Sequence, residues 1–378
     1  MDETVHVQQI NEQGVNLSNS SINLHNQTIA AFGQLTWAIT DKLRLTGGGR
    51  FNIDHKISNS PRYTINNYPF ATTSLRNRPA IGAGTFVGTV DQDHTWHSGT
   101  WKAGVEWDVA PDSLIYGNVS TGFKAGGFSY GPPGGVLYNP EHVTSYVIGS
   151  KNRFLDRKLQ LNLEAFYLDY SDQQVQFFAS LPNLGNFTVT QNVAKSTIKG
   201  VEFDAIVLPV DTTRVTLSGQ FQHTSYDSFN YFTVNDPRNT QGCPVTIVTG
   251  GYNVNCSGRP LVNAPEVVLQ ASIDQTFGLA NGGDIVLSGS ERLESSRETY
   301  LSYLRESRAP SYHRSDASLT YNFPNRRYSI TAWVQNIENA AVIAIVNPGR
   351  SYTISGGGIL NASLQPPRTF GVRGSVSF

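Results

Sequence analysis

Apolar and polar residues alternate one by one along many segments of this chain. Trp101, Ala103 and Val105, for example, share one parity, whereas Lys102 and Glu106 take the other. Successive side chains of a β-strand point to opposite faces, whereas one face of a helix recurs every 3.6 residues. The alternation therefore predicts strands that have one apolar and one polar face. The same period of two recurs at residues 42–52, 198–207, 214–222 and 267–274.

The last twelve residues, Pro367–Phe378, carry the clearest form of this pattern. A bare aromatic residue at the end of a strand would normally lie in water and fray. It is better explained if the strand closes a barrel and the ring lies at a lipid interface. One parity holds Phe370, Val372, Val376 and Phe378, and the other holds Thr369, Arg373, Ser375 and Ser377.

Short connections between these segments alternate with long ones along the chain. Such an asymmetry is typical of an outer-membrane barrel, in which short turns face the periplasm and long loops face outward. With a poorer first strand near residues 3–10, we predict about 14 strands, an even number that places both chain ends on the short-turn side. Short polar links are predicted near 40–42, 110–113, 152–157, 209–213, 279–283 and 322–327, and long irregular stretches near 55–96, 125–140, 171–192, 227–263, 293–309 and 340–366.

The two parities differ in chemistry as the two faces of a barrel wall do. Charges of both signs on the polar parity suit a water-filled interior, and these include Arg44, Glu106, Glu202 and Asp204. Aromatic residues near the strand ends suit girdles at the two membrane interfaces. The predicted girdle residues are Trp37, Trp107, Tyr167, Tyr170, Tyr226, Tyr321 and Tyr328.

Composition narrows the class of protein further. Charged residues make up 15% of the 378 positions, the formal net charge is −1 and the mean hydropathy is −0.28. A charge so close to neutral gives no electrostatic reason to expect nucleic acid as a partner. No run of about 18 apolar residues occurs, so no membrane helix is predicted, and the N-terminus does not read as a signal peptide.

Two cysteines, Cys243 and Cys256, lie in one polar, glycine-containing stretch. A disulfide between them would close a loop of 14 residues. It would stabilise that loop by roughly 3 kcal/mol in the chain-entropy model. Such a bond requires an oxidising compartment, and two free thiols are the alternative.

Several stretches, taken in order, resemble the β-barrel of the TonB-dependent outer-membrane receptors. No single stretch is decisive, but their order and spacing cover nearly the whole chain. The glycines of residues 122–127 suit a chain that turns sharply where it leaves a barrel wall. The matching stretches are residues 30–51, 114–128, 144–176, 195–205, 260–277 and 334–340, together with the closing strand.

The resemblance implies an all-β, antiparallel, up-and-down transmembrane barrel. Plugged transporters have 22 strands, so about 14 strands correspond to the C-terminal part of the barrel domain. We expect this part to form an incomplete or open barrel. It fills residues 1–378 as one domain. The plug that precedes the barrel in this family is not recognisable in the sequence. The final strand is similar to the outer-membrane assembly signal of the family, carried here by Phe370, Val372, Val376 and Phe378.

The implied function is the uptake of a scarce solute across the outer membrane of a Gram-negative cell. A ferric siderophore is the expected ligand, with vitamin B12 or an oligosaccharide as other substrates of the family. Expected partners are membrane lipid and lipopolysaccharide, the barrel assembly machinery, and TonB through the plug. The alternatives are a passive, porin-like channel of about 14 strands that closes on itself, and an adhesive or structural surface protein.

Arginine and tyrosine residues concentrate in the stretch 291–308, which also holds Glu291. Guanidinium forks bind anionic groups, and aromatic rings contact planar ligands. We therefore expect this stretch to contribute to binding an anionic iron chelate, and a solvated basic loop is the alternative. The candidate residues are Arg292, Arg297, Tyr300, Tyr303, Arg305 and Arg308.

Other chemistry has weaker support in the sequence. His94 and His97 lie in a stretch with two aspartates, but their odd spacing would place them on opposite faces of a strand, so we predict no metal site there. The glycine clusters at 82–84 and 356–358 lack the strand and helix that a nucleotide-binding loop requires. No strand-to-helix turn of the kind that presents a nucleophilic serine is predicted, so no enzyme activity and no cofactor are expected.

Overall fold

The chain forms one large antiparallel sheet whose main strands follow each other in sequence order. Fourteen strands lie side by side in it, as the alternating pattern predicted. The computed structural model describes residues 2–10, 16–66, 85–129, 136–181, 185–234, 236–238, 241–324, 326–348 and 360–377.

The strands are numbered in chain order. They are β1 (Asp2–Ile10), β2 (Asn16–Ala38), β3 (Leu43–Asn66), β4 (Thr85–Ala110), β5 (Ser113–Lys124), β6 (Gly127–Ser129), β7 (Val136–Tyr138), β8 (Glu141–Phe154), β9 (Leu159–Leu181), β10 (Gly185–Val210), β11 (Thr213–Thr233), β12 (Val245–Val248), β13 (Gly251–Asn255), β14 (Val267–Gly278), β15 (Asp284–Glu294), β16 (Arg297–Glu298), β17 (Arg308–Ala309), β18 (Tyr312–Asn322), β19 (Tyr328–Gln335), β20 (Ile343–Pro348), β21 (Leu360–Leu364) and β22 (Thr369–Val376).

The main sheet has the spatial order β1-β2-β3-β4-β5-β8-β9-β10-β11-β14-β15-β18-β19-β22. The remaining strands form short hairpins at one end of it, namely β6–β7, β12–β13, β16–β17 and β20–β21, and β13 also pairs with β11. The described residues include a short 3-10 helix at Arg305–Ser307. None of the helices in the described ranges is long and apolar enough to cross a membrane.

The two ends of the sheet differ in how the strands are connected. At the short-turn end the links span only a few residues, and all six predicted short links are confirmed. The turn between β8 and β9 places Leu155, Asp156 and Arg157 at positive φ. The φ of Gly282, in the turn between β14 and β15, is +81°, a value that glycine adopts without steric cost.

The long-loop end is more regular than predicted. Several stretches that were expected to be irregular are continuations of strands: β3 extends to Asn66, β4 begins at Thr85, and β9 and β10 pair up to Leu181 and Gly185. The prediction of irregular stretches was therefore wrong at 55–66, 85–96, 171–181, 185–192 and 227–233. Polar residues can form strands there because the backbone N–H and C=O groups bond across the ladder, and these bonds do not depend on the type of side chain.

The register separates the side chains into an apolar face and a polar face. Val105, Gly117, Ile148 and Ala165 lie opposite one another across β4, β5, β8 and β9. The adjacent row, Glu106, Tyr116, Gly149 and Glu164, lies on the opposite face. On that polar face the Arg44 guanidinium contacts Glu106 at 3.0 Å and Asp108 at 2.5 Å.

The apolar face is exposed along the whole sheet. Ile148 is 62% exposed and Val372 is 75% exposed, values that would be costly for large apolar side chains in water. The predicted girdle residues Trp37, Trp107, Tyr167, Tyr321 and Tyr328 belong to this face. Two girdle predictions were wrong, because Tyr170 has the parity of Glu164 and Tyr226 is buried in a loop core described below.

The closing strand behaves as its pattern predicted. β22 pairs with β19, and Phe370 and Val372 lie opposite Val334 and Ala332 on the apolar face. Phe378 lies outside the described residues. Within those residues β1 pairs only with β2 and β22 only with β19, so the sheet is open, as the sequence allowed.

Substituting arginine on the two faces should have unequal effects. Ile148→Arg, on the apolar face, is expected to lower the free energy of unfolding from lipid vesicles by about 2–4 kcal/mol, the cost of a cation near the bilayer midplane. Asn118→Arg, on the polar face of the neighbouring strand, should change it much less. Urea titration followed by tryptophan fluorescence measures both, and equal losses would contradict the assignment of the faces.

Candidate functional site

A buried carboxylate at the long-loop end of β15 holds together a group of polar-face side chains. Glu294 accepts hydrogen bonds from Arg292 at 2.9 Å, from the Tyr312 hydroxyl at 3.1 Å, and from Arg297. Arg297 also donates to the Ile343 carbonyl at 2.9 Å. The Glu294 and Arg297 side chains are only 7% and 9% exposed, so the pair is shielded from water and each charge depends on the other.

Arg314 lies directly opposite Arg292 in the ladder between β15 and β18, on the same face. Its Nη1 donates to Gln365 Oε1 at 3.0 Å, and its Nη2 lies 3.6 Å from Asp316 Oδ2. Its Nε is buried and has no hydrogen-bond partner among the residues that the structure describes. We call Arg292 and Arg314 the arginine pair. Two like charges directly across a ladder repel each other, and here Glu294 and Asp316 each offset one of them.

The local charge balance favours an anion. Three cations, Arg292, Arg297 and Arg314, stand against two carboxylates, Glu294 and Asp316, which leaves 3 − 2 = +1. The side chains of Arg292 and Arg314 are 37% and 30% exposed, so a ligand can reach them. A guanidinium fork with a free donor is suited to carboxylate, phenolate or phosphate oxygens.

The predicted arginine and tyrosine cluster is divided in the structure. Arg292 and Arg297 do lie together around Glu294. Arg305 and Arg308 are exposed and separate from them, and Arg308 donates to the Ser296 hydroxyl at 2.8 Å. The sequence spacing suggested a single cluster. In the β16–β17 ladder, however, Arg297 lies opposite Ala309 and Arg308 lies opposite Glu298, and Arg305 belongs to the 3-10 helix.

The two predicted tyrosines lie away from the arginine pair. Tyr303 is 6% exposed and donates its hydroxyl to the Pro260 carbonyl at 2.9 Å. Its ring contacts the guanidinium of Arg259, whose carbon lies 5.7 Å from the ring centroid. Burial raises the pKa of Tyr303 and of Tyr300. Tyr303 therefore supports the loop structure, and its hydroxyl is already bonded within the protein.

A disulfide-bonded cap covers part of the long-loop end. Cys243 and Cys256 are joined by a disulfide, with their Cα atoms 5.1 Å apart. Gly242 lies against the Tyr303 backbone, and a Cβ there would come within 2.0 Å of the carbonyl oxygen. The buried core of the cap consists of Val175, Phe177, Val189, Ala194, Tyr226, Phe229, Tyr231, Cys243, Val254, Cys256 and Tyr303.

The hydroxyls and carboxyl of this cap lie in a dry environment. Burial raises the pKa of Tyr226 to about 12. Burial also raises the pKa of the Glu298 carboxyl, although Arg308 and Arg259 act in the opposite direction. At the exposed edge of the cap the opposite holds, since hydrogen bonds from Arg238 lower the pKa of Asp236 to about 2.

The β6–β7 hairpin packs against the extended ends of β3 and β4. Lys56 Nζ donates to the Gly126 carbonyl at 2.6 Å and lies 5.7 Å from the centroid of the Trp96 ring. The Trp96 and Phe128 ring centroids are 5.8 Å apart. A Cβ on Gly126 would come within 2.4 Å of Trp96, so the glycine permits a close approach, not only the turn that was predicted.

The stretch with His94 and His97 is part of β4, not the loop that the sequence suggested. His94 pairs with Lys56 and His97 with Ile53, so the two imidazoles lie on opposite faces, in agreement with the spacing argument. The glycine clusters at 82–84 and 356–358 lie outside the described residues.

Comparison with known proteins defines the class to which this sheet and its loops belong. The family described as "TonB dependent receptor-like, beta-barrel" matches residues 5–337, and the chain belongs to that family. Curated relatives include the pesticin receptors of Yersinia enterocolitica and Yersinia pestis, which are 27% and 26% identical over 182 residues, or 47% of this chain and 23% of theirs.

Two solved structures with the same fold are named as receptors for ferric chelates. The ferric yersiniabactin uptake receptor FyuA of Yersinia pestis superposes with a TM-score of 0.74 at 16% identity, covering 100% of this chain and 49% of its own. The ferric-catecholate import receptor Fiu of E. coli K12, in its closed form, gives 0.65 at 17% identity, covering 97% and 46%. The chain thus spans about half the length of these receptors. In such barrels the apolar face is the outside and the polar face is the lumenal side.

Sequence reasoning missed three residues of the lumenal group. Glu294, Tyr312 and Arg314 were not selected, because Arg314 is 22 positions from Arg292 and only the ladder brings the two together. A usable signal did exist. Arg292 and Glu294 share the polar parity of β15, and Arg314 and Asp316 that of β18, so an antiparallel pairing of those strands could have predicted the meeting.

Removing the buried carboxylate should destabilise this end of the sheet. Glu294→Gln keeps the shape of the side chain but leaves the Arg297 charge unpaired. We expect a loss of about 3–5 kcal/mol in the free energy of unfolding. The matched control is Glu306→Gln, an exposed glutamate in the 3-10 helix. Urea titration in vesicles gives both values, and a loss below about 1 kcal/mol for Glu294→Gln, the worth of a surface pair, would contradict the buried pair.

Breaking the disulfide should loosen the cap and leave the sheet intact. The double variant Cys243→Ser, Cys256→Ser is expected to cost the cap roughly 3 kcal/mol. Tryptic cleavage after Arg238 should then become faster, while the far-UV circular dichroism of the sheet stays the same. Treating the unmodified chain with dithiothreitol should reproduce the effect. Cleavage rates that are the same with and without the bond would show that it does not hold the cap.

Proposed function

We propose that this chain is barrel wall and surface loop of an outer-membrane receptor that imports a ferric siderophore. In a longer protein the TonB system would energise the import. Family membership supports the receptor class. The names of two proteins with the same fold, a ferric yersiniabactin uptake receptor and a ferric-catecholate import receptor, support the ligand class.

The observation that carries the proposal is the arginine pair on the lumenal face at the long-loop end. Iron chelates of this class present carboxylate or phenolate oxygens and have anionic character. Arg292 and Arg314 offer partly exposed guanidinium groups within a region of net positive charge. Within the described residues the buried Nε of Arg314 has no partner, so it is a donor that a bridging water could satisfy.

The proposed mechanism involves binding and release, with no covalent step. The surface loops and the arginine pair would hold the chelate at the mouth of the barrel. The polar lumenal face would then form one wall of its path. The predicted candidates Arg305 and Arg308 are exposed, so they are proposed as outer contacts that attract the anion before it reaches the arginine pair.

The partners follow from the same proposal. The apolar outer face would lie in membrane lipid, with lipopolysaccharide at the long-loop end. TonB would act through a plug, and the assembly machinery would recognise the closing strand with Phe370, Val372 and Val376. The alternative of a self-closed passive channel has less support, because β1 and β22 do not pair within the described residues.

Ligand binding can be measured directly on the folded chain. Trp96 and Trp333 have the polar-face parity, so a chelate that enters the lumen should quench tryptophan fluorescence. The probes are ferric yersiniabactin, a ferric catecholate and ferric citrate. We expect one of them to bind, and Arg292→Ala and Arg314→Ala each to weaken it about 10-fold or more, equivalent to a lost charge-assisted hydrogen bond.

The matched control is the double variant Arg305→Ala, Arg308→Ala. It should slow association at low salt with little change in the rate of dissociation. If none of the three chelates quenches the fluorescence, the proposed ligand class is wrong. If the control weakens binding as much as Arg314→Ala does, the arginine pair is not the main contact. Steady ion conductance in planar bilayers would instead favour the passive channel.

A further inference from the structure

A second group of ligating side chains lies on the opposite face of the same strands. Oxygen atoms of Glu291 and Glu338 and a ring nitrogen of His313 all lie within 4.8 Å of one another. It is the one such group of three found in the described part of the chain. His313 Nδ1 is 3.2 Å from Glu291 Oε1. The three side chains are partly or fully exposed, so an ion could reach them.

The ladder places this group on the outer, apolar face. Glu291 lies opposite Ser315, and His313 lies opposite Leu293. Leu293 and Leu319, which share this face, are 43% and 50% exposed. Charged groups among exposed leucines are costly near lipid unless they are paired or bind a cation. The group is therefore separated from the lumenal arginine pair by the thickness of the sheet.

The third ligand is supplied by the turn that follows β19, and that turn is held firmly. The Ser315 amide donates to Glu338 Oε2 at 2.8 Å, and the Ile337 amide donates to the Ser315 carbonyl at 2.9 Å. The Asn336 side chain bonds to Ala340 at both its amide and its carbonyl. Glu338 is thus fixed against β18 before any ion binds, which lowers the entropic cost of assembling the site.

The hydroxyl of Ser315 lies between the two carboxylates. Its Oγ lies within hydrogen-bonding distance of a carboxylate oxygen of Glu291 and of one of Glu338. A hydroxyl has a single proton and can donate to only one of them. The other carboxylate therefore faces an oxygen lone pair, an arrangement that a cation between the two carboxylates would make favourable.

We propose that Glu291, His313 and Glu338 bind a divalent first-row cation of the zinc type on the outer rim of the sheet. Two carboxylate oxygens and one imidazole nitrogen match a tetrahedral Zn²⁺ site with three protein ligands, the fourth position being left to solvent. Calcium takes six to eight oxygen ligands, and magnesium prefers oxygen and water, so neither fits a donor set of this size with a nitrogen in it.

The bound cation would have a structural effect. It would link β15, β18 and the turn after β19, three segments that are far apart in sequence. This turn leads into β20, whose carbonyl at Ile343 accepts from Arg297. The cation would therefore hold the turn after β19 on the outer face of the sheet. Arg297 holds β20, the strand that follows, on the lumenal face. The inference does not depend on which solute the receptor carries.

The test is equilibrium dialysis of the full folded chain against Zn²⁺, with the bound metal counted by elemental analysis. We expect one Zn²⁺ per chain and a higher melting temperature with Zn²⁺ than with EDTA. His313→Ala and Glu338→Gln should each weaken binding by at least about 10-fold, the lower end of what even a supporting residue contributes at a metal site. Glu338 lies in a turn, so its variant keeps the strands intact.

The matched control is His55→Ala. His55 also faces outward beside a carboxylate, with its Nε2 2.7 Å from Asp93 Oδ1, but no third ligand is found there among the described residues. The His55→Ala variant should bind one Zn²⁺ per chain, as the unmodified chain does. Three results would overturn the proposal: no stoichiometric Zn²⁺ in the unmodified chain, equal loss in the His55→Ala control, or tighter binding of Ca²⁺ that is insensitive to His313→Ala.

Discussion

Backbone hydrogen bonding between neighbouring strands is the interaction on which the rest of this structure depends. Lipid offers no partner for an N–H or C=O group, so a chain that crosses a membrane as strands must satisfy these groups from strand to strand. Every main strand here is antiparallel to its neighbour in sequence, and the turns at one end are only a few residues long. The same requirement bears on β1 and β22, which are edges within the described residues.

The ladder also determines where chemistry can lie. Because side chains alternate, neighbouring residues of β15 serve different environments: Glu291 lies on the outside with Leu293, whereas Arg292 and Glu294 lie on the lumenal side. A single strand can therefore carry the arginine proposed to bind the solute and the glutamate proposed to bind a cation next to each other in sequence. Their spatial separation is guaranteed by the pleat and needs no further element.

The long-loop end follows a different physical rule. Above the apolar band the chain must stabilise itself in water, and it does so with a small buried core around Phe229 and the disulfide between Cys243 and Cys256. Tyr303 contributes to this core from a distant loop. The loop stretch is thus tied to the cap, which is why Tyr303 is occupied in packing while Arg305 and Arg308 remain exposed.

The sequence by itself determined the strands, their faces, the short turns and the family. Alternation has a period of two wherever one face is apolar, so Val105, Val201 and Phe370 could be assigned to one face without coordinates. What it could not determine was which distant residues meet. Glu294 with Arg297, Arg314 opposite Arg292, and Glu338 beside His313 depend on the register between strands and on the path of the loops. Register is set by cross-strand pairing and by packing summed over many residues, and a local pattern contains neither.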